Sequence, residues 1–522
     1  MVMTGSIRWT LAVCAFVITQ VAVAQQPAPV KRPNVLLIVA DDMNWDSPGC
    51  FGGTVNGITP NIDRLAEEGM RFWHAYVNVA VCTPSRSVML TGLYPQNSGV
   101  KGFQNIRPGT PTLSSILNQA GYLCGTIGKP LGQQELFRWG VTYRWQGAGD
   151  EDRWGRNPAV YRRFTKSFLE AANSSGQPFF LMASSHDPHR PFASGGTKGI
   201  RAQRPHIERG DPSGQFNPEE VTVPGFLPDL PEIRREIADY SSSVRRFDDT
   251  VGAILGELRR ADREKDTIVV LLSDHGMPFP FAKSNCYLNS NRTPLIVRWP
   301  GRVKPSRIDR DHMVAAIDLA PTILEAIGVP ANKWNTLGSG PARFDGRSFL
   351  ALLEGRTQQG RDHVFTQFDH IHGRRPYPMR CVLTKEMAYI FNPWSDGNRI
   401  YHAEPLSGQT FRAMQNAGEQ DEEIAKRVGH LQRRTVEECY DLRVDPNCRT
   451  NVVNDPAYRE RLDNLRERLR LWLTATKDPA LQALLRRDDP VALQKYMALY
   501  LEQAKLEMEE RKVYEQGTRY RF

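Results

Sequence analysis

Three short, nearly continuous apolar runs constrain this chain more than any other feature. They are Asn34 to Ala40 (NVLLIVA), Phe179 to Ala183 (FFLMA) and Thr267 to Leu272 (TIVVLL). Each is too short for a typical helix and lacks the alternation of a strand with one wet face. They read as strands buried on both faces, as in a parallel sheet. The stretches between them carry helical punctuation. Thr59-Pro60 opens one helix, with Thr as N-cap, Pro at the first helical position and Gly69 near the end. Thr112 opens another, with Leu113, Ile116, Leu117 and Ala120 on one face. Tyr240, Val244, Phe247, Val251, Ile254, Leu255 and Leu258 form the stripe of a long amphipathic helix. Strands alternating with helices predict an α/β fold whose sheet is covered on both faces.

Polar residues gather where these runs stop. Asp41 and Asp42 follow the first, His186 and His189 the second, and Asp274 and His275 the third. Ligands of open α/β sheets bind beyond the carboxyl ends of the strands. Adjacent carboxylates repel each other unless a cation sits between them. Asp41, Asp42 and Asp274 therefore read as oxygen ligands for a hard divalent ion. Taken singly, each also fits a helix N-cap or a solvated turn.

With 522 residues, of which 40% are hydrophobic and 24% charged, the chain is long enough for one large domain and a smaller one. A formal charge of +9 suits either an anionic partner or a generally basic surface. No nucleic-acid motif is present, and no nucleic-acid partner is expected. Arg8 precedes an apolar run from Trp9 to Val23 that closes on Ala22-Val23-Ala24, a small-x-small pattern. Residues 1–24 are thus expected to be a signal peptide and 25–32 a linker. The run is short for a membrane span, so no stable membrane anchor is expected. The expected location is secreted or periplasmic, or lysosomal in a eukaryote. Export permits disulfides. Cys14 leaves with the signal, and seven cysteines remain, an odd number that leaves at least one unbridged. Cys439 and Cys448, close in sequence, are a candidate pair.

The most informative stretch is Val81 to Gly92, VCTPSRSVMLTG. Cys82-Thr83-Pro84-Ser85-Arg86, followed by Leu90-Thr91-Gly92, resembles the C-x-P-S-R signature of the type I sulfatases, the formylglycine-dependent members of the alkaline phosphatase superfamily. The resemblance continues along most of the chain. Arg32-Pro33-Asn34 through Asp41-Asp42 resembles the family's opening strand, and Thr59 to Ala66 (TPNIDRLA) its first helix. Gly128-Lys129 resembles its sulfate-binding lysine, and His186 to Phe192 (HDPHRPF) its H-x-P-H-x-P-F stretch. Ser273 to Gly276 (SDHG) resembles its second metal-binding segment, and Tyr440-Asp441-Leu442 with Asp445-Pro446 its C-terminal Y-D-L-x-x-D-P. These motifs occur in the family's order.

This resemblance implies a large mixed, mainly parallel sheet sandwiched by helices and a smaller C-terminal α+β subdomain. The catalytic domain is expected at 33–385, the subdomain at 386–480 and a helical tail at 481–522. Met387 to Phe391 reads as a strand of the smaller sheet, and Tyr458, Leu462, Leu465, Leu469 and Trp472 as one face of a helix. A last amphipathic helix runs from about Val491 to Val513, its stripe suited to the core or to a second subunit, which leaves the oligomeric state open.

The resemblance also implies a chemistry. Cys82 is oxidised after synthesis to formylglycine (3-oxoalanine) by a formylglycine-generating or anaerobic maturation enzyme. Asp41, Asp42, Asp274, His275 and the modified Cys82 hold one Ca2+ ion. Arg86 orients residue 82, Lys129 and Lys283 bind sulfate oxygens, His186 protonates the leaving group and His189 contacts substrate. One segment departs from the pattern. The family has a histidine two residues after its lysine, whereas this chain reads Gly128-Lys129-Pro130-Leu131-Gly132. The expected substrate is a sulfated carbohydrate. SSHDPHRPF and SDHGMPFPFAKSNCY, above all Gly276-x-Pro278-Phe279-Pro280, resemble the heparan N-sulfatase (sulfamidase) branch. Two other readings stand beside this one: a phosphatase or phosphodiesterase of the same superfamily with two transition metals, and a non-catalytic binder of sulfated glycans with Cys82 unmodified.

Overall fold

Each of the three apolar runs is a strand, and the three lie side by side. A computed structural model describes residue 1 and residues 32–129, 137–142, 155–193, 210–330, 344–370 and 376–519. The expected signal peptide and most of the linker, and the segment after Lys129, lie outside the described residues. Eight strands form the large sheet: β1 (Asn34–Asp41), β2 (Met70–Tyr76), β3 (Leu123–Gly128), β4 (Trp139–Thr142), β5 (Phe179–Pro188), β6 (Thr267–Ser273), β7 (Leu295–Arg298) and β8 (Arg307–Ala315). Their spatial order is β4-β3-β5-β1-β6-β7-β2-β8. Only β7 runs antiparallel to its neighbours, so the sheet is mixed and mainly parallel, as expected.

The central strands are apolar throughout because helices cover both faces. In β1, Leu36, Ile38 and Ala40 enter one core, and Val35, Leu37 and Val39 enter the other. In β6, Val269 and Leu271 alternate in the same way with Ile268, Val270 and Leu272. The helix Pro60–Glu67 begins after Thr59, and its first-turn amides are met by Asp248, which accepts from Asn61 N at 3.1 Å and Ile62 N at 2.8 Å. The helix Leu113–Gln119 starts with a full capping box between Thr112 and Ser115. The amphipathic stripe around Val244 belongs to a 30-residue helix, Pro231–Arg260.

A second sheet follows, with strands β9 (His363–Phe368), β10 (Met379–Thr384), β11 (Met387–Phe391) and β12 (Glu437–Asp441) in the order β12-β11-β10-β9, all antiparallel. The expected boundary at 385/386 falls in the turn between β10 and β11, so the small sheet starts earlier, at His363. A buried polar node ties this sheet to the end of the chain. Arg380 pairs with Asp369 at 2.9 Å and Asp478 at 2.6 Å, and Tyr500 of the last helix, Pro490–Arg519, donates to Asp369 at 2.6 Å. No helix among the described residues is long and apolar enough to cross a membrane.

The cysteine expectation is corrected. All seven cysteines after residue 31 are free thiols, Cys439 and Cys448 included. The loop after β12 returns with Asn451 and Val452 beside Cys439, not Cys448. Cys439 N donates to Asn451 Oδ1 at 2.8 Å, and Val452 N donates to Cys439 O at 2.8 Å.

Candidate active site

The ends of four adjacent strands build the site. β1 closes on Asp41, with Asp42 next; β5 carries His186; β6 leads into Asp274 and His275; and β3 ends at Gly128 and delivers Lys129. Gly128 is required there by close approach. Its φ is +92°, and a Cβ would lie 2.0 Å from the Ser184 carbonyl oxygen and 2.3 Å from the Tyr161 hydroxyl. Asp42 turns out of the strand at φ 71°. Its amide donates to Asp274 Oδ1 at 3.1 Å, so the two strand ends brace each other.

Cys82 begins the helix Cys82–Thr91 and is 4% exposed. Its Sγ lies 3.3 Å from Asp41 Oδ1, 3.9 Å from Asp42 Oδ1 and 3.3 Å from His275 Nε2. One ligand atom from each of these four buried residues falls within 4.8 Å of the others. Asp274 stands at the edge of the cluster. Its Oδ2 accepts from Arg86 Nε at 2.9 Å and pairs with Nη2 at 2.9 Å, while Oδ1 lies 3.7 Å from His275 Nε2.

The donor set suits a cation. His275 Nδ1 lies 3.0 Å from the Gly276 carbonyl, which can only accept, so the ring proton is on Nδ1. Its Nε2 faces Asp42 Oδ1 at 3.1 Å and Cys82 Sγ at 3.3 Å, so carboxylates and one imidazole offer their donor atoms to a hard ion at one place.

Two lysines flank the cluster. Lys129 Nζ donates to Asp41 Oδ1 at 2.7 Å and Oδ2 at 2.5 Å, and Lys283 Nζ donates to Asp42 Oδ2 at 2.6 Å. Burial pushes the Asp41 carboxyl up, but Lys129, His189, Arg86 and His186 outweigh it and hold the group well below the usual carboxylate range. Burial pulls both lysines down, and the carboxylates they touch more than reverse this, so both are ammonium ions. Burial and then Asp41 push the Cys82 thiol well up, which makes the unmodified side chain a poor nucleophile. His186 Nδ1 is 3.8 Å from Asp41 Oδ2, and His189 Nε2 is 3.8 Å from Asp42 Oδ2. Burial holds both imidazoles below their ordinary value, reinforced by Lys129 at His186 and by Lys283 at His189.

All ten residues singled out in the sequence thus converge on one end of the sheet. The chain from residue 33 to 329 matches the sulfatase family model. This chain belongs to the sulfatase family. Residues 274–391 of this sulfatase also match the model for the N-sulphoglucosamine sulphohydrolase C-terminal region. It is 30% identical over 475 residues to human N-sulphoglucosamine sulphohydrolase, covering 86% of this chain and 91% of that protein. It is 25% identical over 491 residues to an ulvan-active sulfatase of Formosa agariphila, covering 86% and 76%. Its fold matches a solved 2-O GAG sulfatase with a TM-score of 0.60 at 20% identity, covering 86% of this chain and 93% of that one. As a member of the family it is a hydrolase of sulfate esters or sulfamates, and the family carries a formylglycine and a metal in its active site.

Sequence reasoning missed part of this sulfatase's site. Asp187 lies under the histidines and is gripped by Arg156 at 2.7 Å and by Arg246 at 2.7 and 2.8 Å, which locks the HDPHRPF stretch. Glu404 reaches Lys283 from the C-terminal part of the chain at 2.9 Å. Asp187 lay inside a motif already noted, whereas nothing in the sequence around Glu404 marks it.

Proposed function

We propose that this sulfatase acts on sulfated glycans through a formylglycine made from Cys82 and one bound Ca2+, with a preference for N-sulfated glucosamine. The observation that carries the reading is the convergence of Asp41, Asp42 and His275 on Cys82 between two buried ammonium groups. The substrate preference rests on likeness to the human N-sulphoglucosamine sulphohydrolase and to that enzyme's C-terminal model. An N-terminal export signal and a secreted or periplasmic location belong to the same reading.

Asp41, Asp42, His275, Asp274 and residue 82 would hold the ion. The ion and the hydrated aldehyde would supply Lewis-acid charge neutralisation and paired hydroxyls, one for attack on sulfur and one for sulfate release. Arg86, anchored on Asp274, fixes the first turn of the helix that presents residue 82. Lys129 and Lys283 hold the sulfate oxygens and balance the charge that builds there in the transition state. His186 is neutral in the free protein. An anionic substrate in front of it favours the protonated ring, which can then donate to the leaving atom. His189 lies on the Lys283 side and contacts the sugar.

Peptide mass spectrometry across Cys82, paired with turnover of a panel of sulfated sugars, tests the reading. An aldehyde at residue 82 together with sulfate release supports it. A fully converted, Ca2+-loaded protein that releases no sulfate from any member of the panel would refute it. The missing histidine after Lys129 favours a second reading, a non-catalytic glycan binder, for which residue 82 stays a thiol in the native host.

A further inference from the structure

Glu404 opens the short helical turn Glu404–Ser407, far along the chain from the strand ends that build the site. Its Oε2 lies 2.9 Å from Lys283 Nζ, and the same ammonium donates to Asp42 Oδ2 at 2.6 Å. Oε1 lies 3.5 Å from Arg190 Nη1. Lys283 therefore stands between the metal-ligand cluster and a carboxylate outside that cluster.

The segment carrying Glu404 is pinned in place. Arg190 donates through Nε and Nη2 to Glu236 Oε1 at 3.0 and 2.9 Å. Glu236 Oε2 accepts from Thr410 N at 2.8 Å and Thr410 Oγ1 at 2.6 Å. Gly408 lies flat on the same guanidinium, where a Cβ would sit 2.7 Å from Nη2. Arg190 is also bonded to the Pro278 carbonyl and stacked near the Phe192 and Phe279 rings, so little of it is left for a ligand. Glu404 differs. Oε2 is buried beside Lys283, but 34% of the side chain is exposed, and Oε1 has only the long 3.5 Å contact to Arg190. Burial pushes its carboxyl up, but Lys283, His189 and Arg190 prevail and hold it at about 2.

A sulfate oxygen held by Lys283 brings the neighbouring atoms of the sugar against this fixed negative charge. We propose that Glu404 is a specificity-determining residue: it accepts a hydrogen bond from a hydroxyl or amino group beside the scissile sulfate and repels a second sulfate or a carboxylate at that place. The substrate class it selects is a sugar with one sulfate flanked by hydrogen-bond donors, in preference to a multiply sulfated one. Specificity of this kind works through the repulsive contact as much as the attractive one. The proposal rests on the sulfatase reading above and on Lys283 as a sulfate contact.

The test compares kcat and KM of the full-length, Ca2+-loaded protein and of Glu404→Gln on glucosamine N-sulfate and on glucosamine N,6-O-disulfate. The wild type is expected to favour the monosulfated sugar. Glu404→Gln is expected to shrink that preference at least tenfold, through KM, and Glu404→Asp to restore part of it. Unfolding curves of both variants confirm that they are folded. A preference that stays the same while both substrates lose kcat equally overturns the proposal and makes Glu404 a support for Lys283, with the sulfatase reading intact. A wild type that is converted at residue 82 yet inert on both sugars and on the wider panel overturns that reading, and this proposal with it.

Discussion

Arg86 and Asp274 form a fully buried ion pair in which Nε and Nη2 both lie 2.9 Å from the same carboxylate oxygen. The pair links the helix bearing Cys82 to the end of β6. Removing the guanidinium leaves a buried carboxylate without its partner, a loss of about 3–5 kcal/mol. Arg86→Ala should therefore lower the urea midpoint markedly and abolish sulfate release. Arg86→Lys should recover only part of the stability, since one ammonium cannot reproduce the planar fork. Equilibrium unfolding of the two variants beside wild type checks both statements.

Cys82 is small and sits at the first helical position, where alanine is readily accommodated. Cys82→Ala should keep the wild-type fold, with a thermal midpoint within about 2 °C, while losing sulfate release. A variant that turned over sulfated sugar at even a tenth of the wild-type rate would remove residue 82 from the chemistry.

Chelation should destabilise the loaded protein. An ion present at a hundredfold excess over its Kd contributes about 2.7 kcal/mol, which for a chain of this size is roughly 2–3 °C. Scanning calorimetry in excess chelator, then with Ca2+ or Mg2+ restored, gives the shift and identifies the ion. Ca2+ should recover both midpoint and activity, with Mg2+ the poorer substitute.

Lys129 touches both oxygens of Asp41 and keeps 17% of its side chain open to the site. Lys129→Ala should reduce kcat/KM by about 10²–10³, the usual cost of losing one charge-stabilising donor. The deficit should persist at saturating Ca2+, which separates lost sulfate contact from weakened ion binding.

His430 offers a pH test away from the site. Its Nε2 lies 2.9 Å from the Tyr287 hydroxyl and 3.0 Å from that of Tyr440. Burial brings its pKa down to about 4, with Arg434 adding to the effect and Glu438 opposing it. The folded value is below the unfolded one of about 6.5, so the neutral ring contributes fully above pH 6.5. That contribution, roughly 3 kcal/mol, is lost as pH falls from 6.5 toward 4. Thermal midpoints between pH 7.5 and 4.5 should fall more steeply for wild type than for His430→Gln, and parallel curves would contradict the assignment.

The central strands and the polar cluster at their ends were legible because burial on both faces writes itself as an apolar run, and because the candidate site residues follow the strands directly. β11, Met387–Phe391, was visible for the same reason. β2 and β8 were not, since MRFWHAY and RIDRDHMVA mix charged and apolar residues at partly covered positions. Contacts closed late by tertiary packing left no local trace. Glu404 meets Lys283 only because Arg190, Glu236 and Thr410 bring two distant segments together. The pairing inferred for Cys439 and Cys448 failed because proximity in sequence says nothing about which residue a returning loop sets beside the strand.

The burial of Cys82 sets a clock. Every residue of its helix except Thr83 is shielded once the chain folds. Under the proposed oxidation of Cys82, a modifying enzyme would have to reach a side chain that is 4% exposed in the folded chain. Oxidation and folding would then compete for the same nascent segment. On that proposal, molecules that fold first would keep a buried, inert thiol, and the active fraction of a preparation would record how the two rates compared during synthesis.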